Sequence, residues 1–166
     1  MKVDDIAPEF IMMVGVPGSG KSTYIKNLKA TNPEKDYVVL STDDIISAWG
    51  AERGLNYTQA FQKFEFKNAQ SIFNANFRKA IKERRNIIVD RTNLTKKGRA
   101  KLLSNLPADY KTKAVVFEID PEELQRRLTT RAKETGKFIP DKVMSDMIAS
   151  YVPPSKEEFD AIQFVK

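Results

Sequence analysis

Short apolar runs alternate along this chain with longer amphipathic stretches. "FIMMVG", Phe10 to Gly15, is almost continuously apolar and ends at glycine, the pattern of a strand buried on both faces of a parallel sheet. Further β-rich runs follow at "YVVLS" (Tyr37 to Ser41), "NIIVD" (Asn86 to Asp90) and "KAVVFEI" (Lys113 to Ile119), with a weaker one in "AIQFV". Helical stretches lie between them. "KSTYIKNLKA", from Lys21, reads as a helix stopped by the Asn and Pro of "TNPEKD". The longest helix is predicted from about Thr58 to Arg84, where Ala60, Phe61, Phe64, Ala69, Ile72, Phe73, Phe77, Ala80 and Ile81 approach the spacing of one buried face. Its phenylalanines are assigned to the core. "DPEELQRRL" opens another helix, with Asp120 as cap, Pro121 in the first turn and Glu123 three residues after the cap. "VPPSKEEF" turns the chain into a tail at about 153–166, with Ser155 and Glu158 at capping-box spacing. Strands alternating with helices predict an α/β fold, a parallel sheet of about five strands flanked by helices, in one domain over 1–166.

Composition narrows the chemistry. At 166 residues, with 41% hydrophobic and 30% charged positions, the chain falls in the soluble globular class. No apolar run approaches the ~20 residues that span a bilayer. The opening "MKVDDIAPEF" carries acids where a leader has a basic flank, so a cytoplasmic protein with no membrane partner is expected. The lack of cysteine removes disulfides and thiolate metal sites. Histidine is absent too, so any general base is Asp, Glu or Lys. The net charge of +6 is uneven: from Arg78 to Lys101 ten basic residues face two acids, an excess of +8 in one segment. Such a segment suits a polyanionic partner or forms a solvated basic surface.

One motif is specific. "GVPGSGKST" satisfies G-x-x-x-x-G-K-[ST] directly after an apolar strand and before a helix, the context a phosphate-binding P-loop requires. Gly15, Pro17, Gly18, Ser19, Gly20, Lys21, Ser22 and Thr23 are the expected nucleotide-binding residues. Lys21 would reach the β- and γ-phosphates of ATP or another NTP, and the Ser22 hydroxyl would bind Mg²⁺.

In open parallel sheets ligands bind beyond the carboxyl ends of the strands, so residues just after each strand are candidates. After the second strand, "STDDI" places Asp43 and Asp44 there; helix capping accounts for one, and a base accepting a hydroxyl proton, or an acceptor contact, for the other. After the third, "VDRTNL" offers Asp90 to orient Mg²⁺ through water, while Thr92 and Asn93 bind substrate or make a turn. In "RRLTTRAKETGKF", Arg127 and Arg131 are four residues apart and share a helix face, whereas Arg126 points elsewhere. With "FIPDKV" following, an arginine-bearing helical lid is predicted at about 126–140. Trp49 precedes a glycine-containing loop and is assigned to packing in preference to base stacking.

Together "GVPGSGKST", "TDD", "DRTNL" and "ELQRRLTTRAKETGKFIPDKVM" resemble the 5′-hydroxyl polynucleotide kinases of the phage and eukaryotic repair type, from the first strand to about Tyr151. The resemblance implies an NMP-kinase-like P-loop fold, ATP and Mg²⁺, and transfer of the γ-phosphate to the 5′-hydroxyl end of RNA or DNA. It implies that Asp43 is the base and Arg131 the lid arginine, with Arg127 in support. An arginine three residues beyond the base holds the acceptor phosphate in the phage type; here that position is Ile46. Arg91, Lys96, Lys97 and Arg99 are the replacement candidates, beside Asp44, Thr92 and Asn93 on the acceptor side. Two alternatives share the frame: a kinase for a small acceptor such as a nucleoside, sugar or antibiotic, and a nucleotide-binding adaptor for nucleic acid without phosphotransfer.

Overall fold

The computed structural model describes residues 7–64 and 66–166, so most of the acidic opening segment lies outside the described residues. Five strands, β1 (Glu9–Val14), β2 (Val38–Leu40), β3 (Ile87–Val89), β4 (Lys111–Phe117) and β5 (Ala161–Val165), form one sheet in the order β2-β3-β1-β4-β5. Every pairing is parallel. The weak "AIQFV" pattern is the edge strand β5.

The apolar run of β1 serves two cores, because successive side chains in a strand point to opposite faces. Phe10, Met12 and Val14 pack with Phe73 and Phe77 of α4 (Phe66–Lys82) and Leu102 of α5 (Lys96–Leu103). Ile11 and Met13 pack with Ile25 of α1 (Lys21–Thr31) and with Val115 and Phe117 of β4. Fully buried side chains such as Phe10, Met12 and Phe73 each stabilise the fold by about 1.5–3 kcal/mol. The core assignment holds for Phe73 and Phe77; Phe61 is 48% exposed and Ile72 42%.

The long helix expected from Thr58 to Arg84 is two helices. α3 (Tyr57–Lys63) stops at Phe64, whose backbone is extended, and α4 starts at Phe66. Phe64 stacks on Trp49 of α2 (Thr42–Ala51) at 5.0 Å between ring centroids, and Ile46, Ala60 and Ala69 form one small core shared by α2, α3 and α4. Both helices therefore feed apolar residues to one cluster, and the helical spacing continues across the break. A Cβ on Gly50 would lie 2.6 Å from that of Ala60, so glycine permits this close approach of α2 and α3.

The helix signals mostly hold. Asp120 caps α6 (Pro121–Thr135) by accepting from Glu122 N, but Glu123 pairs with Arg126 and Arg127 and leaves the box open. α7 (Asp141–Ser150) follows, with Met144 as its buried contact. Glu158 accepts from Ser155 N at 2.8 Å as the capping-box spacing anticipates, but the segment is a turn and starts no helix.

The basic segment is dispersed. Arg84 pairs with Asp109, and Arg85 with Asp36 at 3.3 Å, before β3 begins, at the sheet end opposite the P-loop. Arg99, expected on the acceptor, is fully buried: its Nε donates to Glu158 Oε1 at 2.9 Å and its Nη1 to the Asn93 carbonyl at 3.0 Å. This cation ties α5 to the tail before β5. Replacing Glu158 by Gln leaves that guanidinium buried without its counter-charge, and should cost about 3–5 kcal/mol in urea unfolding, while Arg99→Met with Glu158→Leu recovers most of the loss.

Candidate nucleotide and acceptor cleft

The carboxyl ends of the strands open into a cleft of about 610 Å³, lined by the P-loop, Asp43, Asp44, Asp90, Arg91, Thr92, Arg127 and Arg131. The loop is shaped by Gly18 (φ 83°) and Gly20 (φ 108°), in the left-handed region that glycine adopts without strain. A Cβ on Gly18 would also lie 3.1 Å from Leu128 Cδ2, so the lid helix α6 rests against the loop.

The residues here fit a phosphate. Gly20 precedes α1 without any side-chain cap and no acid stands in its first turn, so the helix offers its unpaired N–H groups and positive end. Ser19 Oγ is buried and, among the described residues, makes no hydrogen bond. Lys21 Nζ donates to the carbonyls of Gly15 and Val16, each at 2.8 Å, and burial holds its pKa down to about 8 against the pull of Asp90 and Asp43. For Mg²⁺ the Ser22 hydroxyl and Asp90 line the cleft, and no cluster of three or more His, Cys, Asp or Glu forms a cage among the described residues. That suits an ion that takes few protein ligands and several from phosphate and water. Burial pushes the carboxyls of Asp90 and Asp44 up, and the neighbouring acids add to it.

Helix capping turns out not to need either aspartate. Ser41 caps α2, accepting from Asp44 N at 3.2 Å, which leaves the side chains of Asp43 and Asp44 to the cleft. On β3's far side, Arg91 lies 4.9 Å over the Phe73 ring and lines the cleft. Thr92 also lines it, and its carbonyl accepts from Gly15 N. Asn93 makes the turn: at φ 49° its Nδ2 donates to the Met13 carbonyl at 2.7 Å, and the residue is not part of the cleft lining. Lys96 and Lys97 are exposed on α5 outside the cleft lining.

On the lid, Arg127 pairs with Glu123 at 2.9 Å and reaches the Gly18 carbonyl at 3.4 Å, while Arg131 faces the cleft without an ion pair among the described residues. Two residues that sequence reasoning missed flank Asp43. Tyr57 Oη donates to Asp43 Oδ1 at 2.7 Å, and Lys137, just past α6, places Nζ 3.6 Å from Asp43 Oδ2. The lysine lies inside the predicted lid span, after the glycine that ends its helix, and nothing local marks either residue as a partner of Asp43.

Residues 10–154 match the family described as AAA domain. The chain belongs to that family. It is 30% identical over 155 residues to heterogeneous nuclear ribonucleoprotein U-like protein 2 of mouse and human, covering 91% of this chain and 20% of those proteins' length. Among solved structures, Chaetomium thermophilum Kti12 in complex with ADP-AlF3 superposes with a TM-score of 0.67 at 14% identity, covering 94% of this chain and 88% of that one. A fungal RNA kinase gives 0.59 at 17% identity, over 97% of this chain and 39% of that one. A gluconokinase from Sinorhizobium meliloti gives 0.58 at 18% identity, over 95% and 82%. This AAA-family domain therefore has the α/β P-loop fold that these kinases share; no helix among the described residues is long and apolar enough to cross a membrane.

A phosphate anion stabilises protonated Lys21 and raises its pKa above the free value of about 8. Nucleotide affinity is then fully present below that pH and weakens as pH rises through it. Titration of a fluorescent ADP from pH 6 to 10 should show this fall, and Lys21→Met should bind weakly with a flat profile.

Proposed function

We propose that this domain is an ATP-dependent kinase that phosphorylates the 5′-hydroxyl end of RNA or DNA. The observation that carries the reading is the convergence on one cleft of the P-loop, a carboxylate free of capping duty and two lid arginines. When bound, ATP with Mg²⁺ supplies the transferable γ-phosphoryl group. Gly15, Pro17, Gly18, Ser19, Gly20 and Thr23 would wrap the phosphates through the loop, and Lys21, Arg127 and Arg131 would hold their charge. Ser22, and Asp90 through water, would hold the metal. Asp43 would align the acceptor hydroxyl and take its proton, with Asp44, Arg91 and Thr92 lining the acceptor side. The fungal RNA kinase and the ribonucleoprotein relatives support a nucleic-acid acceptor by their names.

A small acceptor is the second reading, and the dispersal of the basic segment favours it: Arg84, Arg85 and Arg99 are spent on ion pairs away from the cleft. Both readings meet in one assay with Mg²⁺, γ-labelled ATP, 5′-hydroxyl oligonucleotides, nucleosides and sugars, and Lys21→Ala as blank. Label is expected on oligonucleotide 5′ ends, with Asp43→Asn slower by ~10² to 10⁴ at little-changed ATP affinity. Label confined to a small molecule establishes the second reading; none on any acceptor leaves a nucleotide-binding adaptor.

A further inference from the structure

The Asp43 carboxylate is held from two sides by elements distant in sequence. Tyr57 stands at the start of α3 and Lys137 after the lid helix, with Nζ 4.3 Å over the Tyr57 ring. A clasp fixes the pair: Thr58 Oγ1 donates to the Gly136 carbonyl at 2.6 Å and accepts from Phe138 N at 3.3 Å. A Cβ on Gly136 would meet Asn56 Nδ2 at 2.7 Å, so the lid end is seated tightly on α3.

The two contacts to Asp43 differ in kind. The 2.7 Å bond from Tyr57 is a full hydrogen bond to a carboxylate. At 3.6 Å the ammonium of Lys137 is held by charge alone. Burial and the bond to Asp43 push the Tyr57 phenol up, so it stays a donor at any working pH. The Lys137 side chain is only 16% exposed, and a desolvated cation whose ion-pair carboxylate lies 3.6 Å away gains by acquiring a further anion. α2, which carries Asp43, has no Lys or Arg of its own, and Ile46 on it is fully buried. A negative group arriving beside Asp43 thus meets the lid lysine.

We propose that Tyr57 fixes Asp43 through Oδ1, that Oδ2 takes the acceptor proton, and that Lys137 leaves Oδ2 to hold the phosphate adjacent to the accepting hydroxyl. This rests on the kinase reading above and deepens it: the acceptor is a hydroxyl with a phosphodiester nearby, as at the 5′ end of a strand. The acceptor oxygen gives its proton to Oδ2 and bonds to the γ-phosphorus as the bond from that phosphorus to the bridging oxygen breaks, ADP leaving with the electron pair. Tyr57 is a positioning residue and Lys137 a specificity determinant.

Kinetics of Tyr57→Phe, Lys137→Gln and Lys137→Arg test both roles. Tyr57→Phe should lower kcat by about 10- to 100-fold with the KM for ATP unchanged, the loss expected from one hydrogen bond to a charged group. Lys137→Gln should raise the KM for a 5′-hydroxyl oligonucleotide by about tenfold or more and cut its preference over a phosphate-free nucleoside equally, with Lys137→Arg restoring both. Wild-type kcat in Tyr57→Phe, or a Lys137→Gln effect confined to the KM for ATP, overturns the proposal. A second readout needs no turnover: in protein labelled with 3-fluorotyrosine, the ¹⁹F resonance that Tyr57→Phe removes should move in Asp43→Asn, and in the native chain on adding oligonucleotide without ATP. A resonance indifferent to both refutes the proposal. Both responses without phosphate transfer to any acceptor overturn the kinase reading and support the acceptor contacts alone.

Discussion

Parallel pairing of β1 with β3 on one side and β4 on the other is the constraint from which the cleft follows. Because all five strands run the same way, the P-loop after β1, the Ser41 cap after β2 and the Asp90 turn after β3 open at one end of the sheet. Two contacts lock that end: Gly15 N donates to the Thr92 carbonyl and Asn93 Nδ2 to that of Met13. The phosphate loop and the turn bearing Asp90 and Arg91 are thereby fixed to each other before any ligand arrives. The buried Arg99 extends the lock to the tail, since it holds the Asn93 carbonyl and Glu158 at once.

Charge inside the cleft is arranged as two facing sets. Burial and the charges of Asp43 and Asp44 raise the proton affinity of Asp90, burial and Asp43 raise that of Asp44, and Lys137 opposes both, with Lys21 opposing it at Asp90. Without a nucleotide, the loop lysine satisfies its donors on two backbone carbonyls, and Arg127 borrows Glu123. Each cation has a substitute partner that a phosphate, with its greater charge, is able to displace. The exception is Arg131, which faces the cleft without an ion pair among the described residues and whose charge acts on Lys21, Lys137 and Tyr57.

Local chemistry was legible in the sequence and long-range chemistry was not. The strand, loop and helix of the nucleotide side are contiguous from Phe10 to Thr31, and a motif with its flanks describes them completely. The lid helix announces its own cap and its own arginine spacing. By contrast, the break at Phe64 has neither glycine nor proline to mark it; it exists because Phe64 finds Trp49 across the α2–α3 corner. Arg99 looked like one more cation in a basic run, and only the tail's return past α5 brings Glu158 to it. The pairing of Tyr57 and Lys137 on Asp43 spans 14 residues to the tyrosine and, for the lysine, every element from α3 to α6, beyond any periodic signal.

That division also separates what the fold shares from what distinguishes this chain. The P-loop side comes from short-range pattern, while the fold as a whole is shared, a gluconokinase superposing over 95% of the chain. The Asp43 side of the cleft is assembled by α3 and the residues just past α6, where a tyrosine and a lysine converge on one carboxylate and a threonine clasp holds the two segments together. Because the clasp runs from Thr58 to Gly136, the contact that keeps Lys137 beside Tyr57 also fastens the end of α6 to α3. Lys137, beside Asp43, thus belongs to the same segment that Thr58 fastens to α3.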